Sequence, residues 1–371
     1  MRVSIFFVTL LIVAAPPALA SSTSTGISRE FNPAISANSL IIYSSGLLSE
    51  ESHEEVEEEH VHHTGHGAGL FIQESELQLS ANVDPYTRAT LTLAMHGSSG
   101  FELEEGYLRT QRLPAQIGLR LGQFYWEFGK HNSFHTHQYL FVERFHAWDE
   151  LLGEHGLSGI ALELSWLSPL PWYAELSGTA FPLTHTIYGE EAEIPENVWG
   201  QSARLRQLFE VSDRSTLDIG GTWLAGDVAH LHDDEIEKGD RVLLGVDLTW
   251  KWTGPGANAR QMEIQGEWIR RSDSLPDEDI VHDGWYLSAR AKVTRRVWLS
   301  ARYDAFRPEA VEEGHSHFQE SGTVTASMAF VPSEFQAWRL DLMRRTLGEE
   351  NFNGLRLQAN FTIGSHPAHR Y

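Results

Sequence analysis

The chain has 371 residues, 51 of them acidic and 28 basic, with a formal net charge of −23. That balance excludes nucleic-acid binding, which needs clustered Lys and Arg to meet the phosphates. The lack of any cysteine excludes disulfides and thiolate metal sites, so order must come from packing and backbone hydrogen bonds.

At the start, Arg2, the apolar run Val3 to Ala15 and the small-residue sequence Ala18-Leu19-Ala20 read as a secretory signal peptide over residues 1–20. The run is shorter than the roughly 20 residues that a membrane-crossing helix needs. The exported part, 21–371, contains no later segment long and apolar enough to cross as a helix.

From residue 34 onward, apolar and polar residues alternate over stretches of about ten, as in strands with lipid on one face and water on the other. Strands are expected at 34–43, 70–83, 86–96, 101–112, 115–128, 158–167, 171–181, 199–210, 215–226, 240–252, 259–270, 282–294, 296–306, 318–331, 334–346 and 351–363. The last is the clearest, every odd position from Leu355 to Ile363 being apolar and every even one polar. Asp84-Pro85, Leu113-Pro114, 168–170, 212–214, 254–258, Arg295 and Pro332-Ser333 read as tight turns, whereas most connections between them are longer and rich in His, Asp and Glu. Short turns at one rim and long loops at the other predict an all-β fold, a porin-like transmembrane antiparallel barrel of about sixteen strands. Fourteen or eighteen strands would also fit the pattern. Closure follows because an open edge in hydrocarbon leaves its backbone groups unpaired. Both termini are expected in the periplasm, with the loop 46–69 outside. Trp126, Trp166, Trp172, Trp199, Trp250, Trp252, Trp285 and Trp338 are candidates for the interfacial girdles. One helix is expected, at Phe141 to Leu152, where large apolar residues recur at helical spacing.

The nineteen histidines fall outside the interiors of these strands, and all but His366 and His369 go to the long-loop rim. His53, His60, His62, His63 and His66 sit among the carboxylates of the first loop, a composition that suits Zn²⁺ or another divalent cation. A solvated acidic loop is the alternative. The connection 129–157 carries His131, His135 and His137, and the last two share one side of an extended segment but need a third ligand. Ordinary capping and hydrogen bonding is the alternative there. His230, His232 and Asp233, then His315 and His317, repeat the theme on later loops. The expected cofactor is therefore a loop-bound divalent ion, with no organic cofactor.

By alternation, Arg88, Glu163, Arg204, Arg206, Glu263, Glu267, Arg290, Lys292, Arg302, Asp304, Arg339, Asp341 and Arg356 face the lumen. Charged linings set ion selectivity in water-filled pores, and this mixture of signs favours neither cations nor anions. A hydrogen-bonded interior with little flux is the alternative.

Phe31-Asn32-Pro33-Ala34-Ile35-Ser36, Glu74-Ser75-Glu76-Leu77, Glu102-Leu103-Glu104-Glu105, Gly129 with Asn132, His135 and His137, and the ending 363–371 resemble a family of porin-like barrels named as zinc-regulated outer-membrane receptors. The resemblance implies zinc-linked uptake and TonB dependence. A plugged transporter of that class has about 22 strands, however, and the chain leaves no room for those and a plug domain. In sixteen-stranded general porins the loop after the fifth strand folds inward, which would place His131, His135 and His137 at a constriction. The expectation is a diffusion channel that assists divalent metal uptake. Its rival is a surface barrel that binds metal or a partner without significant transport. No enzyme is expected, since no nucleophile-elbow motif is present. The expected partners are outer-membrane lipid and lipopolysaccharide, with the barrel assembly machinery during biogenesis. Whether the barrel is a homo-oligomer stays open.

Overall fold

A computed structural model describes residues 33–46, 48–49, 68–97, 100–111, 113–153, 156–182, 199–232, 235–256, 260–276, 279–308 and 320–364. The residues 1–20, His53, His60, His62, His63, His66, Asp233, His315 and His317 lie outside these.

Sixteen antiparallel strands close into one barrel. They are β1 (Ala34–Ser44), β2 (Gly69–Asn82), β3 (Thr87–His96), β4 (Glu102–Thr110), β5 (Ile117–Tyr125), β6 (Ser158–Leu167), β7 (Tyr173–Pro182), β8 (Trp199–Ser212), β9 (Ser215–His232), β10 (Glu235–Thr253), β11 (Gln261–Ser274), β12 (Asp279–Lys292), β13 (Val297–Pro308), β14 (Ser321–Ser333), β15 (Gln336–Leu347) and β16 (Glu350–Gly364). Each pairs with its sequence neighbours, and β16 returns to β1 from Ser36↔Gly364 to Ser44↔Arg356, leaving no edge. Among the described residues there is no plug domain.

Alternation decides which side chain meets which solvent. On β6, Leu162 and Leu164 are exposed while Ala161 and Glu163 are buried; on β14, Val324 and Met328 are exposed while Thr323, Thr325 and Ser327 are buried. The barrel thus wears its apolar residues outside and its polar ones inside, the reverse of a water-soluble protein, as lipid contact requires. Trp166, Trp172, Trp199 and Trp338 are exposed on the outer surface, but Trp126 is 2% exposed and stacks on Phe181 inside the barrel at 3.7 Å between ring centroids. Trp126 therefore belongs to an internal core and to no girdle.

Two further expectations are corrected. β9 and β10 form a longer hairpin than alternation indicates, in which His230 pairs with Glu237 and His232 with Glu235, and His282 lies in β12 opposite Pro308. Histidine is thus not confined to loops. A backbone ladder continues past the lipid belt into sequence that no longer alternates, because its hydrogen bonds do not require apolar side chains. The helix, α1, spans only His146–Leu152. Residues 141–145 give their backbone groups to the wall instead: the Val142 amide donates to Asp341 (2.7 Å), and Arg302 donates to the carbonyl of Glu143 (3.0 Å).

Candidate functional site: the loop across the barrel lumen

The connection from β5 to β6 folds into the barrel. Its neck is closed by Asn132, whose amide donates to the carbonyls of Trp126 (3.0 Å) and Leu157 (2.8 Å) and accepts from the Leu157 amide (2.8 Å). Gly156 turns beside it with φ +66°, and a Cβ there would lie 2.6 Å from the Asn132 side-chain oxygen, so glycine is required on both counts.

One half of the loop docks through rings. Phe145 stacks on Tyr286 of β12 at 3.6 Å and meets Trp148 edge-on at 5.7 Å. Gly284 makes room for α1, since a Cβ there would meet Leu151 at 2.6 Å. His131 lies within this apolar patch, stacked on Tyr139 (4.7 Å) and edge-on to Phe145 (4.4 Å). Burial, with Arg144 and Arg302 nearby, holds its imidazole well below the ordinary histidine value, so it is neutral. Around it the wall grips the backbone. Glu267 of β11 accepts from the amides of Lys130 and His131, Arg356 of β16 pairs with Glu143, and Gln73 of β2 donates to the Val142 carbonyl (3.0 Å).

The other half is polar. Two β-bulges prepare it, because each lets two consecutive residues face inward where strict alternation admits one. On β2, Leu40 pairs with Glu74 and Ile41 with Ile72, so Gln73 is the extra residue; on β4, Thr92 pairs with Glu105 and Leu93 with Leu103, so Glu104 is. His135 descends between the two strands. Its Nδ1 lies 3.1 Å from Glu76 and 3.0 Å from Glu104, and its Nε2 lies 3.2 Å from Glu105. Nδ1 of His137 is 3.3 Å from the same Glu76 oxygen. The Tyr125 hydroxyl donates to Glu104 at 2.5 Å. Burial opposes a charge on His135, but Glu76, Glu104 and Glu105 outweigh it and raise its pKa well above the ordinary value. Glu74, Glu76 and His137 form one set whose ligand atoms all lie within 4.8 Å of one another, and Glu76, Glu104 and His135 form a second.

Between the loop and the wall of β8 to β12 lies a cavity of about 440 Å³. Lys130, Ser133, Phe134, Gln138 and Leu140 line it from the loop, and Arg204, Arg206, Lys251, Glu263 and Arg290 from the wall. The wall charges pair across strands: Arg204 with Asp247 (2.6 Å), Arg206 with Asp218 (2.7 Å), and both Lys251 (2.9 Å) and Arg290 (3.1 Å) with Glu263. Burial and the nearby Lys251 lower the Lys130 ammonium to about 8.

No family model matches the chain. A protein of Aquifex aeolicus (strain VF5), described as uncharacterized, is 26% identical over 335 residues, which cover 82% of this chain and 70% of that one. Among solved structures, an anion-selective porin from Comamonas acidovorans aligns with a TM-score of 0.56 at 12% identity, over 89% of this chain and 98% of the porin. OprB of Pseudomonas putida gives 0.58 at 7% identity, over 90% and 94%, and the outer membrane channel DcaP of Acinetobacter baumannii 0.58 at 10%, over 93% and 99%. The fold is that of porin-like bacterial outer-membrane barrels. At such identities the likeness is one of architecture, and it agrees with the apolar outer belt.

Against that architecture the residues singled out by sequence divide into groups. Glu163, Arg204, Glu263, Glu267, Arg302, Asp304, Arg339, Asp341 and Arg356 are buried on the inner face, and Arg206 and Arg290 are partly buried there. They form no free ring of charge, because most are neutralised by a neighbour, as in Arg302–Asp304 (2.9 Å) and Arg120–Glu163 (2.6 Å), or hold the loop. Arg88 is exposed and donates to Ser80 (2.8 Å), and Lys292 lies over the Trp298 ring at 5.4 Å. Of the three loop histidines, His135 and His137 come together, whereas His131 is taken into the aromatic patch and joins neither ligand set. Nor do the first two line open water, being 7% and 1% exposed. Glu74, Glu76, Glu104 and Glu105 were not identified as site residues from sequence. The available signal was the presence of Glu pairs inside otherwise alternating strands, where a charge facing lipid would be costly.

Proposed function

We propose that the protein is an outer-membrane diffusion channel for small polar solutes and ions, with its passage set by the β5–β6 loop and with divalent metal gathered at the His-, Asp- and Glu-rich surface loops. The observation that carries this reading is the cavity of about 440 Å³ between the loop and the wall, lined by both signs of charge. Opposed charges across a narrow water path orient polar solutes and admit ions of either sign, so selectivity is weak. The long-loop rim faces outward in this reading, placing Glu50–Glu59 and His53 to His66 at the cell surface beside lipopolysaccharide, where they raise the local concentration of Zn²⁺ or a similar ion.

Planar-bilayer recording of the purified, folded barrel tests this. Stepwise conductance that grows when the loop is shortened is expected, and a folded barrel that never conducts would remove the channel. For the surface loops, calorimetry should show Zn²⁺ sites lost on deletion of residues 53–66.

A second reading has an observation of its own. The loop touches β2, β4, β9, β11, β13, β15 and β16, a nearly full circuit of the wall. A barrel sealed in this way would serve as a surface metal- or partner-binding protein, and silence in the same recording favours it.

A further inference from the structure

Glu74, Glu76, Glu104 and Glu105 converge on His135 and His137 with little access to water; the side chains of Glu74, Glu76 and His137 are each 1% exposed. Among the described residues the ion pairs of these carboxylates are to histidines: His135 with Glu76, Glu104 and Glu105, His137 with Glu76, and His96 with Glu74 at 3.6 Å. Neither oxygen of Glu74 receives a hydrogen bond of normal geometry, although the Thr136 hydroxyl is close by. Even with His96, His135 and His137 all protonated, four carboxylates leave negative charge in excess, in a place with little water to screen it. Elsewhere in the lumen the chain solves this with Arg, as at Glu163 and Asp247. Here, among the described residues, it supplies imidazoles and no guanidinium.

We propose that this cluster is a divalent-cation site in which Glu76 is shared between the Glu74/His137 and Glu104/His135 donors, and that the ion clamps the loop to β2 and β4. One imidazole nitrogen with two carboxylate oxygens, which each set supplies, suits a first-row divalent ion such as Zn²⁺, Co²⁺ or Mn²⁺. The donors of each set already lie within 4.8 Å of one another, and donors about 2.0–2.2 Å from one ion stand no farther apart than about 4.4 Å, so little movement is needed. The ion offsets the surplus charge and gives the Glu74 oxygens a partner. It lies inside the barrel, apart from the surface loops, and does not depend on whether solutes pass.

The test uses full-length barrel folded in detergent, loaded with Zn²⁺ or Co²⁺ and dialysed against metal-free buffer, with folding checked by heat-modifiable migration on gels. Retention of one ion per barrel is expected, with a Co²⁺ absorption spectrum that shows nitrogen and oxygen ligation, and deletion of 53–66 should leave both intact. Glu76→Gln, which strikes both sets, should abolish retention. Glu74→Gln guards against a folding failure, because it removes a buried charge that has no regular hydrogen bond to lose. It should fold, melt no lower than wild type without metal, and weaken retention at least tenfold. Wild type that holds no ion after dialysis, or Glu74→Gln and Glu76→Gln variants that hold it as wild type does, would overturn the proposal. A barrel that keeps the ion yet never conducts sinks the channel and leaves the site; one that conducts and keeps no ion does the opposite.

Discussion

His131 and His135 lie four residues apart on one loop and occupy opposite environments. His131 is enclosed by Tyr139 and Phe145 and is neutral, whereas His135 lies among Glu76, Glu104 and Glu105 and is driven towards its charged form. The first belongs to a ring-lined patch that docks by burying apolar surface against β12; the second belongs to a polar seam that docks by charge against β2 and β4. The contrast teaches that residue type alone does not mark a ligand. The wall opposite decides the role of each imidazole, and the wall is assembled from strands distant in sequence.

The largest effect should come from breaking the apolar end. Phe145→Ala removes the ring stacked on Tyr286 and is expected to cost about 3–5 kcal/mol of loop docking. Limited proteolysis should then cut within 129–157 while the barrel still migrates as folded. A loop as resistant as wild type would show that the polar end alone holds it. Next comes the neck. Asn132→Ala strands the buried Leu157 amide, while the Trp126 and Leu157 carbonyls keep their backbone donors, at about 1–3 kcal/mol, and its signature is the same cleavage without loss of the cluster's metal. Gly284→Ala sharpens the comparison from the wall side: its Cβ would press on Leu151, and overpacking of that kind costs about 1–3 kcal/mol. Thermal melts should fall, and pairing the change with Leu151→Ala should restore part of the loss if that contact is the cause.

The smallest effect is the pH dependence of the apolar end. His131 stays neutral in the docked loop because its value is depressed, whereas in a released loop it binds a proton below about pH 6.5. Its contribution is therefore present above that value and is lost as pH falls, with a slope of at most about 1.4 kcal/mol per pH unit. His131→Phe keeps a ring and removes the titration. Protease resistance of the loop, followed from pH 7 to pH 5, should decline less in that variant; parallel curves would assign the decline to other groups.

The sequence by itself determined the barrel. Alternation is a local property, read residue by residue, and the lipid on one face enforces it, so β6 was legible from Ser158 to Leu167 and the two unlike rims followed from turn length alone. The inward candidates from Glu163 to Arg356 were legible for the same reason. What only the tertiary structure decided is where alternation is interrupted and what lies across the lumen. The bulges at Gln73 and Glu104 turn an extra amide and an extra carboxylate inward through a mismatch between neighbouring strands, which neither strand's own sequence states. Trp126 faces Phe181, and His131 faces Tyr139 while His137 faces Glu76, because a loop that crosses a closed barrel meets walls set by the whole circuit of strands. Barrel geometry is repeated and short-range, whereas the site is a single long-range coincidence of one loop with two strands.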